Sequence, residues 1–163
     1  MEKQICLIVK KSKTGRGVYT NKNFKKGETI LIPRGKILTK EQINEKRDSK
    51  WFMAHSVQIG ENLFMGPAND IEDYVNHSCG PNAGHMIKER KSKFVAIRNI
   101  KKGQEVTFDY STTMFNSGKE MKCLCGNKNC RKLIQDFNYL PKKLQKKYLS
   151  LGIVPPYIIT GLR

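Results

Sequence analysis

The chain has 163 residues, and its 31 Lys or Arg against 14 Asp or Glu give a formal net charge of +17. A chain of this length most simply forms one domain, buries roughly 70% of its unfolded surface and needs no disulfides for stability. It contains no run of 18 apolar residues and no apolar signal core at its start, so we expect neither a membrane span nor a secretory leader. We therefore expect an intracellular protein whose five cysteines are reduced or bound to metal.

The charge is unevenly distributed. Residues 1–80 carry 14 basic and 9 acidic groups, a balance of +5, whereas residues 81–163 carry 17 and 5, a balance of +12. A solvated lysine surface and attraction to nucleic acid or another acidic partner are both compatible with this excess. Residues 51–87 contain no Lys or Arg, yet they hold Glu61, Asp70, Glu72 and Asp73. Such an acidic island indicates a site for a cationic group, unless the carboxylates cluster by chance.

The N-terminal third predicts short strands and turns. Residues 5–9, Ile-Cys-Leu-Ile-Val, predict a short buried strand. The turn Gly15-Arg16-Gly17 follows, and its two glycines allow positive φ and a close approach of the backbone to a ligand. Residues 18–20 are expected to be extended, residues 24–28 to form a turn and residues 29–32 to form a strand.

The middle of the chain predicts one helix and an irregular segment. Thr39 and Gln42 have the spacing of a capping box, which predicts a helix over residues 40–47. Residues 51–72 are expected to be irregular because Gly60, Gly66 and Pro67 interrupt them.

The last part predicts strands and then a basic helix. Residues 94–97 and 105–110 have the composition of strands, with a turn at 99–103 between them. Residues 139–152 predict a helix in which Pro141 occupies the first turn and Gly152 ends the element. One face of this helix is apolar and consists of Leu140, Leu144, Tyr148 and Leu151.

The richest chemistry lies in residues 73–82, Asp-Tyr-Val-Asn-His-Ser-Cys-Gly-Pro-Asn. Four consecutive residues, Asn76 to Cys79, offer an amide, an imidazole, a hydroxyl and a thiol, and a Gly-Pro turn follows. Taken alone, this run is equally compatible with a surface turn. Two later features favour a functional site: the run Gly-Gln-Glu-Val-Thr-Phe-Asp-Tyr at 103–110, and a cluster of cysteines after it.

The cysteine cluster predicts a zinc site. Cys123, Cys125 and Cys130 supply three thiols within eight residues. A structural zinc ion takes four ligands in a tetrahedron, so the fourth would come from Cys79 or Cys6. The alternative is a set of thiols that binds no metal.

Together, four motifs resemble those of the SET-domain family of protein lysine methyltransferases. Residues 76–82 resemble the family's Asn-His-Ser-Cys-x-Pro-Asn motif, and residues 103–110 resemble its Gly-Glu-Glu-Leu-Thr-x-Asp-Tyr motif. Residues 15–17 resemble its Gly-x-Gly motif, and the cysteines at 123–130 resemble its post-SET zinc segment. The motifs follow the family's order and cover about residues 5–135.

The resemblance implies a mostly β fold of small sheets with a few short helices, a knot-like arrangement near the C-terminus, a post-SET zinc segment and a C-terminal helix. The implied organisation is a SET domain at 1–118, the zinc segment at 119–135 and a basic helix and tail at 136–163, packed on the same domain. The chain departs from the pattern in having Asp73-Tyr74 before the Asn-His pair and Gln104 in place of a Glu. It also lacks a cysteine-rich pre-SET segment.

The resemblance further implies S-adenosylmethionine-dependent transfer of methyl groups to the amine of a protein lysine. The attacking amine must be neutral, and at neutral pH its deprotonation costs roughly 4 kcal/mol for an ordinary lysine. The implied catalytic residue is Tyr110, acting through orientation and electrostatics, and Phe108 implies room for two or three methyl groups. The implied cofactor-binding residues are Gly15, Arg16, Gly17, Asn76, His77, Tyr110 and Leu124. The implied substrate-channel residues are Phe108, His85 and Tyr74, and the implied zinc ligands are Cys79, Cys123, Cys125 and Cys130.

The family's commonest substrates are histone tails, so the implied partner is a histone tail or another basic protein, and the basic surface allows non-specific contact with nucleic acid. The implied location is cytoplasmic, or nuclear and chromatin-associated in a eukaryotic cell. One alternative is a catalytically silent, zinc-stabilised module that binds chromatin or protein, which could dispense with Tyr110 and residues 15–17. A second is a methyltransferase that acts on a ribosomal or other non-histone protein.

Overall fold

The structure is a computed structural model that describes residues 6–88 and 90–163. In these two ranges the chain forms short strands in five small sheets, with short helices between and after them. The strands are β1 Leu7–Ser12, β2 Gly15–Thr20, β3 Thr29–Leu31, β4 Ile37–Thr39, β5 Val57–Gln58, β6 Leu63–Met65, β7 Asn76–His77, β8 Ala83–Lys88, β9 Lys91–Ala96, β10 Thr107–Phe108, β11 Met121–Lys122 and β12 Leu133–Ile134. The α-helices are α1 Lys40–Asn44, α2 Lys50–Ala54, α3 Lys142–Ser150 and α4 Pro156–Gly161, and short 3-10 turns lie at Ile71–Tyr74, Tyr110–Thr113 and Phe137–Tyr139. The expected mostly β fold of small sheets with a few short helices is confirmed.

The N-terminal hairpin pairs β1 with β2 in antiparallel register from Leu7–Thr20 to Ser12–Gly15. The predicted strand at 5–9 begins at Leu7, and residue 5 lies outside the described residues. The prediction that it is buried was wrong, because only one face of the hairpin is covered and Val9 is exposed. The predicted turn at 15–17 was also wrong. Lys13 and Thr14 form the turn, and β2 begins at Gly15 with a φ of 111°.

The main core lies between the β3–β9–β8 sheet and the chain around Val106. The two Lys-Lys-Gly turns, at 25–27 and 101–103, lie side by side. The residues that precede them are paired: the Phe24 N–H donates to the Ile100 carbonyl at 2.8 Å, and the Ile100 N–H donates to the Phe24 carbonyl at 2.9 Å. Val18, Phe24, Ile100 and Val106 are almost completely buried in one cluster. This core fixes the position of β2 and of the segment that leads into β10.

The segment after β3 forms a second sheet in the order β4–β6–β5. The predicted capping box is present: Thr39 Oγ1 accepts from the Gln42 N–H, and Gln42 Oε1 accepts from the Thr39 N–H. The helix it starts ends at Asn44 rather than at 47. The prediction that 51–72 is irregular was wrong, because α2, β5 and β6 form there. Strands of two and three residues are too short to show a period of two.

The central run, as we call residues 73–82, contributes β7, which pairs with β10 as a parallel ladder. The predicted strand at 105–110 therefore ends at Phe108. Asp109 caps the following 3-10 turn, because its Oδ1 accepts from the Ser111 N–H at 3.2 Å. Tyr110 thus leaves the strand direction. The strand β8, which starts directly after the Gly-Pro turn, was not predicted, and it pairs with β9 as a hairpin.

Residues 137–158 pack on the face of β9 that carries Val95, whereas Phe94 and Ala96 face the main core. A helix is present where one was predicted over 139–152, but it is shorter: α3 spans Lys142–Ser150, Pro141 is its N-cap, and Gly152 follows with a φ of 66°. Leu140, which precedes α3, and Tyr148 within α3 are buried with Val95 of β9 in one cluster. The four lysines of α3 are exposed. A further helix, α4, begins at Pro156 and was not predicted. The expected boundaries at 118 and 135 stay a prediction.

None of the helices in the two described ranges is long and apolar enough to cross a membrane.

Candidate active site

Two cavities lie near the short β7–β10 ladder, and neighbouring residues of that ladder line different ones. We call the cavity of about 820 Å³ the large cavity and the cavity of about 310 Å³ the small cavity. Thr107 lines the small cavity and Phe108 the large one, because successive side chains of a strand point to opposite faces. Val75, which precedes β7, lines the large cavity, whereas both residues of β7, Asn76 and His77, line the small one.

A hydrogen-bonded carboxylate organises the small cavity. Glu105 Oε1 accepts from Asn76 Nδ2 and from Ser12 Oγ, both at 2.8 Å, and Asn76 Nδ2 also lies 2.9 Å from the Arg16 carbonyl oxygen. A Cβ on Gly17 would overlap the Glu105 carboxylate and lie 2.9 Å from Asn76 Nδ2. The glycine is therefore needed for β2 to approach this pair. Glu105 and Ser12 were not predicted as site residues, although Glu105 lies inside the 103–110 motif.

The predicted cofactor-binding residues are only partly brought together. Asn76 and His77 line the small cavity, and the strand that carries Gly15, Arg16 and Gly17 lies behind Asn76. Leu124 is 56% exposed, and its neighbour Cys125 lines the small cavity instead.

Tyr110 connects the two cavities. Its side chain lines the large cavity, and its hydroxyl donates to the Val75 carbonyl at 3.1 Å. Its backbone N–H donates at 3.2 Å to Nδ1 of His77, which lines the small cavity. Burial raises the pKa of Tyr110 to about 12. The phenol is therefore protonated at neutral pH and serves as a fixed dipole rather than as a base.

His77 is a neutral, structural imidazole. Burial lowers its pKa to about 4, although the Asp109 carboxylate opposes this shift. Because Nδ1 accepts from the Tyr110 N–H, the ring proton lies on Nε2, which is 3.4 Å from Cys79 Sγ. The imidazole therefore links the turn that carries Tyr110 to the cysteine cluster.

The thiols of the predicted zinc site are gathered in one place. Cys79 and Cys123 are buried, and Cys125 and Cys130 pack against them. The Sγ atoms of Cys79 and Cys123 lie 3.7 Å apart. Four sulfurs held at about 2.3 Å from a tetrahedral zinc ion lie about 3.8 Å from one another, so the spacing fits that ion.

The ligand atoms of His77, Cys79, Cys123 and Cys125 all lie within 4.8 Å of one another. The tautomer of His77 directs an N–H toward Cys79, which fits a hydrogen bond to a ligand sulfur better than a bond to the metal. Burial raises the pKa of Cys125, but hydrogen bonds from the Cys79 and Asn127 backbone and from neighbouring thiols bring it to about 6. At least one thiolate is thus available at neutral pH, as a zinc ligand requires.

Beside the thiols lies a buried carboxylate shared by three parts of the chain. Asp109 accepts two hydrogen bonds from the Arg131 guanidinium, at 2.7 and 2.8 Å, and a third from the Tyr148 hydroxyl at 2.9 Å. The Arg131 backbone N–H also lies 3.4 Å from Cys79 Sγ. The segment that carries Arg131 and the helix α3 are thereby joined to the residue that precedes Tyr110.

The inner wall of the large cavity is aromatic. His85 stacks on Phe94 with centroids 4.3 Å apart and meets Phe108 edge-on at 5.7 Å, and Phe108 lies 4.8 Å from the Tyr110 ring. His85 is buried, and burial lowers its pKa to about 3. Within the described residues neither of its ring nitrogens has a hydrogen-bond partner. An unpaired buried polar group costs about 1–3 kcal/mol.

Of the three residues predicted to form the channel, Phe108 and His85 line the large cavity. Tyr74 does not. Its ring lies under the Arg16 guanidinium at 4.1 Å, at the outer side of β2.

The acidic island contributes carboxylates to the rim of the large cavity. Glu61, Glu72 and Asp73 line it, opposed by Lys40 and Lys119. The backbone fixes two of the three acids: Glu72 Oε1 accepts from the Arg34 N–H at 2.6 Å, and Asp73 accepts from the Ala68 and Asn69 N–H groups. The three carboxylates outnumber the two lysines in the lining of this cavity.

Comparisons with known proteins agree with the geometry. The SET domain family model matches residues 15–111, which is more than half of the chain. The human histone-lysine N-methyltransferase 2D is 31% identical over 131 residues, covering 72% of this chain and 2% of that protein. The H3 lysine-36 specific histone-lysine N-methyltransferase of Yarrowia lipolytica is 29% identical over 134 residues, covering 76% of this chain and 17% of that protein. The variant-silencing SET domain-containing protein of Plasmodium falciparum is 28% identical over 141 residues, covering 76% and 5%.

The chain thus spans less than a fifth of the length of these relatives. Among solved structures, the crystal structure of KRYPTONITE in complex with mCHG DNA and SAH is similar, with a TM-score of 0.63 and 23% identity. The match covers 79% of this chain and 29% of that one, and it supports the fold alone. The family match includes Gly17, Asn76, His77 and Tyr110, which the folded chain gathers around the two cavities. This chain belongs to the SET-domain family.

Proposed function

We propose that this protein is an S-adenosylmethionine-dependent methyltransferase that acts on the side-chain amine of protein lysine. The observation that carries the proposal is the arrangement around the β7–β10 ladder. The small, polar cavity and the large cavity, with its carboxylates and aromatic wall, lie near one ladder. The Tyr110 side chain lines the large cavity, and its backbone N–H donates to His77, which lines the small one. A reaction between a cofactor and a separate, cationic substrate needs such a pair of chambers.

In this proposal the small cavity holds S-adenosylmethionine, whose sulfonium supplies a methyl group. When bound, it would give its methyl group to the lysine nitrogen, and the electron pair of the broken S–CH₃ bond would stay on sulfur. Asn76, Glu105 and the backbone of Gly17 would form the polar wall of this chamber, because their positions are fixed by mutual hydrogen bonding and close packing. Leu124 stays a predicted cofactor contact.

The large cavity would receive the lysine side chain. Its stem would lie against Phe94, Phe108 and the other apolar lining, and its ammonium group would be attracted by the acidic rim. A dry, aromatic environment lowers the pKa of an amine by desolvation, which favours the neutral form that can attack. Since the Tyr110 hydroxyl donates to Val75, its oxygen lone pairs remain available to orient the amine N–H. The proton that the lysine ammonium loses before it attacks would pass to solvent.

The cysteine cluster would hold a structural zinc ion through Cys79, Cys123, Cys125 and Cys130. Its role would be to fix residues 123–130 against the central run, because Cys79 belongs to that run and Cys125 lines the small cavity. Metal binding would therefore support both folding and cofactor affinity.

The proposed substrate is a histone tail or another basic protein. Three observations support it: relatives bear the names of histone-lysine methyltransferases, the cavity rim is acidic, and residues 51–87 contain no Lys or Arg. Chromatin is the proposed place of action, with DNA contacted by the basic remainder of the surface. A silent binding module would account for the thiols but not for two cavities that lie on either side of one ladder.

The test is transfer of labelled methyl from S-adenosylmethionine to histone octamers, nucleosomes and cell lysate, with products located by mass spectrometry. We expect methylated lysine. Tyr110→Phe should lower kcat by about 100-fold, the usual effect of losing one positioned active-site group, while cofactor affinity is retained. Failure of the wild-type protein to bind the cofactor at all would rule the proposal out.

A further inference from the structure

The C-terminal helix α4 forms part of the wall of the large cavity. Tyr157, Thr160 and Gly161 of this helix line the cavity, and they lie beyond the SET domain match at 15–111. The helix packs closely on another lining residue, because a Cβ on Gly161 would overlap the Phe115 ring. The large cavity is therefore completed by a segment that none of the sequence motifs includes.

The Tyr157 hydroxyl joins α4 to two other parts of the cavity wall. It lies 2.6 Å from the Thr113 carbonyl oxygen and 3.1 Å from the Gln58 carbonyl oxygen, so its single hydrogen is shared between two acceptors. Burial raises the pKa of Tyr157, so the phenol keeps this hydrogen at neutral pH. Thr113 ends the 3-10 turn that begins at Tyr110, whereas Gln58 belongs to β5. We call these two contacts of the hydroxyl the Tyr157 bridge.

The bridge holds an edge strand against the turn that carries Tyr110. β5 has two residues and pairs with β6 at one end of the β4–β6–β5 sheet. The Gln58 side chain adds a second connection, because its Oε1 accepts from the Phe115 N–H at 3.1 Å. On the other side of the bridge, Thr113 Oγ1 donates to the Tyr110 carbonyl at 3.1 Å. Hydrogen bonds thus run from β5 through Tyr157 and Thr113 to the proposed catalytic residue.

We propose that Tyr157 is a positioning residue for the substrate, because its hydroxyl fixes the distance between β5 and the Tyr110 turn across the large cavity. This inference rests on the proposed function. Gln58, Thr113 and Tyr157 all line that cavity. A change in their spacing therefore changes the room between the β4–β6–β5 sheet and Tyr110, where the lysine would be bound.

Loss of the bridge has a specific kinetic consequence. Without it, a fraction of the molecules holds β5 away from the turn, and the apparent affinity for substrate falls with the population of the bridged form. Saturating substrate restores that form, so the bound complex reacts at the wild-type rate. The Michaelis constant should therefore rise while kcat is kept. General damage to the fold has a different effect, because it removes active molecules and lowers kcat.

The first experiment measures methyl transfer by Tyr157→Phe, which removes the hydroxyl and keeps the ring. The substrate is the lysine peptide that the octamer reaction identifies, and S-adenosylmethionine is saturating. We expect KM for the peptide to rise about three- to tenfold, the effect of one net hydrogen bond. Neither kcat nor the affinity for S-adenosylmethionine, measured by isothermal titration calorimetry, should change.

Thr20→Val is the matched control. It removes another buried hydroxyl that donates to a backbone carbonyl, that of Lys101 at 2.9 Å, and Thr20 lines neither of the two cavities. It should lower the free energy of unfolding in urea about as much as Tyr157→Phe does, yet leave KM for the peptide unchanged. A wild-type KM in Tyr157→Phe, an equal rise of KM in both variants, or a fall in kcat alone would overturn the inference.

The second experiment needs no turnover and separates this inference from the proposed function. Amide hydrogen exchange of the wild type and of Tyr157→Phe, both without ligand, is followed by mass spectrometry. The variant should exchange faster at residues 57–65 and 113–116, which the bridge connects, and at the wild-type rate in α3. Wild-type exchange at 57–65, or an equal increase in α3, refutes the bridge even if methyl transfer occurs. Faster exchange without an increase in α3 supports the bridge even if the wild-type protein transfers no methyl group, a result that would count against the proposed function.

Discussion

At the level of single residues, the small cavity depends on a glycine with no room for a side chain. Gly17 lies in β2, where a Cβ would overlap the Glu105 carboxylate and crowd Asn76. Glu105 is itself held by Ser12 and Asn76. Any added atom at position 17 must therefore displace a group that forms the cavity wall.

We expect Gly17→Ala to weaken S-adenosylmethionine binding by about tenfold or more, since a loss of about 1.4 kcal/mol has that effect. Isothermal titration calorimetry measures it. Gly60→Ala is a suitable control, because its Cβ would meet only the Leu63 side chain, away from the small cavity. An unchanged affinity in Gly17→Ala would show that the cofactor does not depend on this wall.

The buried imidazole of His85 predicts acid sensitivity. Its pKa in the folded protein is about 3, below the ordinary value of 6.5, because burial disfavours the charged form. Protons therefore bind the unfolded chain more readily. The free energy of unfolding is therefore not reduced by His85 above pH 6.5, and it decreases as the pH falls from 6.5 toward 3.

Urea unfolding at pH 7, 6 and 5 checks this prediction. The free energy of unfolding of wild type relative to His85→Phe should fall by about 1.4 kcal/mol per pH unit below 6.5. Comparing the two proteins cancels the effect of the groups that they share. A difference that is constant between pH 7 and 5 contradicts a neutral, buried His85.

At the level of elements, Asp109 ties α3 to the active-site turn. The Tyr148 hydroxyl of α3 donates to this fully buried carboxylate, which Arg131 also holds. The C-terminal helix lies beyond the SET domain match at 15–111, yet it completes the bonding of the residue next to Tyr110. We expect it to be part of the catalytic unit rather than an appendage.

Tyr148→Phe should lower the free energy of unfolding by about 1.5–3 kcal/mol, the usual contribution of a hydrogen bond to a charged group. Chemical denaturation measures it. Tyr139→Phe removes the same atom from an exposed ring before α3 and should change stability by less than about 0.5 kcal/mol. Similar values for both variants would mean that the Asp109 contact contributes nothing specific.

The cysteine segment at 123–130, the proposed zinc site, is the second element attached to the candidate active site. Cys123→Ser should abolish the bound zinc found by elemental analysis, and it should also weaken cofactor binding, because Cys125 then no longer holds its part of the small cavity. Cys6→Ser, outside the thiol cluster, should keep one zinc per chain. Full metal content in Cys123→Ser would exclude this residue as a ligand.

At the scale of the whole molecule, the charge is segregated. The net charge of +17 coexists with an acidic-rimmed cavity, and the four lysines of α3, at 142, 143, 146 and 147, are exposed on one element. A basic outer surface with an acidic substrate site suits a protein that docks on a polyanion while it accepts a lysine.

Duplex DNA affinity measured between 50 and 200 mM salt tests this segregation. We expect log K to fall linearly with log salt concentration, with a slope of about −0.9 per phosphate contacted. Replacing the four α3 lysines with Gln should flatten the slope more than replacing Lys25, Lys26, Lys101 and Lys102, which are also exposed and carry the same charge. Salt-independent binding, or equal slopes in both variants, would argue against α3 as the docking face.

The sequence by itself determined the family, the thiol cluster, the Thr39 capping box and α3, because each depends on residues close together in the chain. Turn chemistry, cysteine spacing and a helical apolar face are local signals. The same signals could not reveal β5, β6 and β7, which are too short to show a period. β5 pairs with the neighbouring β6, whereas β6 also pairs with β4 and β7 pairs with the distant β10. Tyr110 was expected in a strand, but Asp109 turns the chain after Phe108.

Only the tertiary structure decided how the site residues are divided between the two cavities. It placed Phe108 and Thr107 in different cavities, moved Tyr74 beneath Arg16 and left Leu124 exposed. It also joined Arg131 and Tyr148 on Asp109, and it buried His85 with both nitrogens unpaired. These relations arise from packing between segments far apart in the chain. A linear motif can name the groups that meet there, but it carries no information about which of their hydrogen bonds remain unfilled.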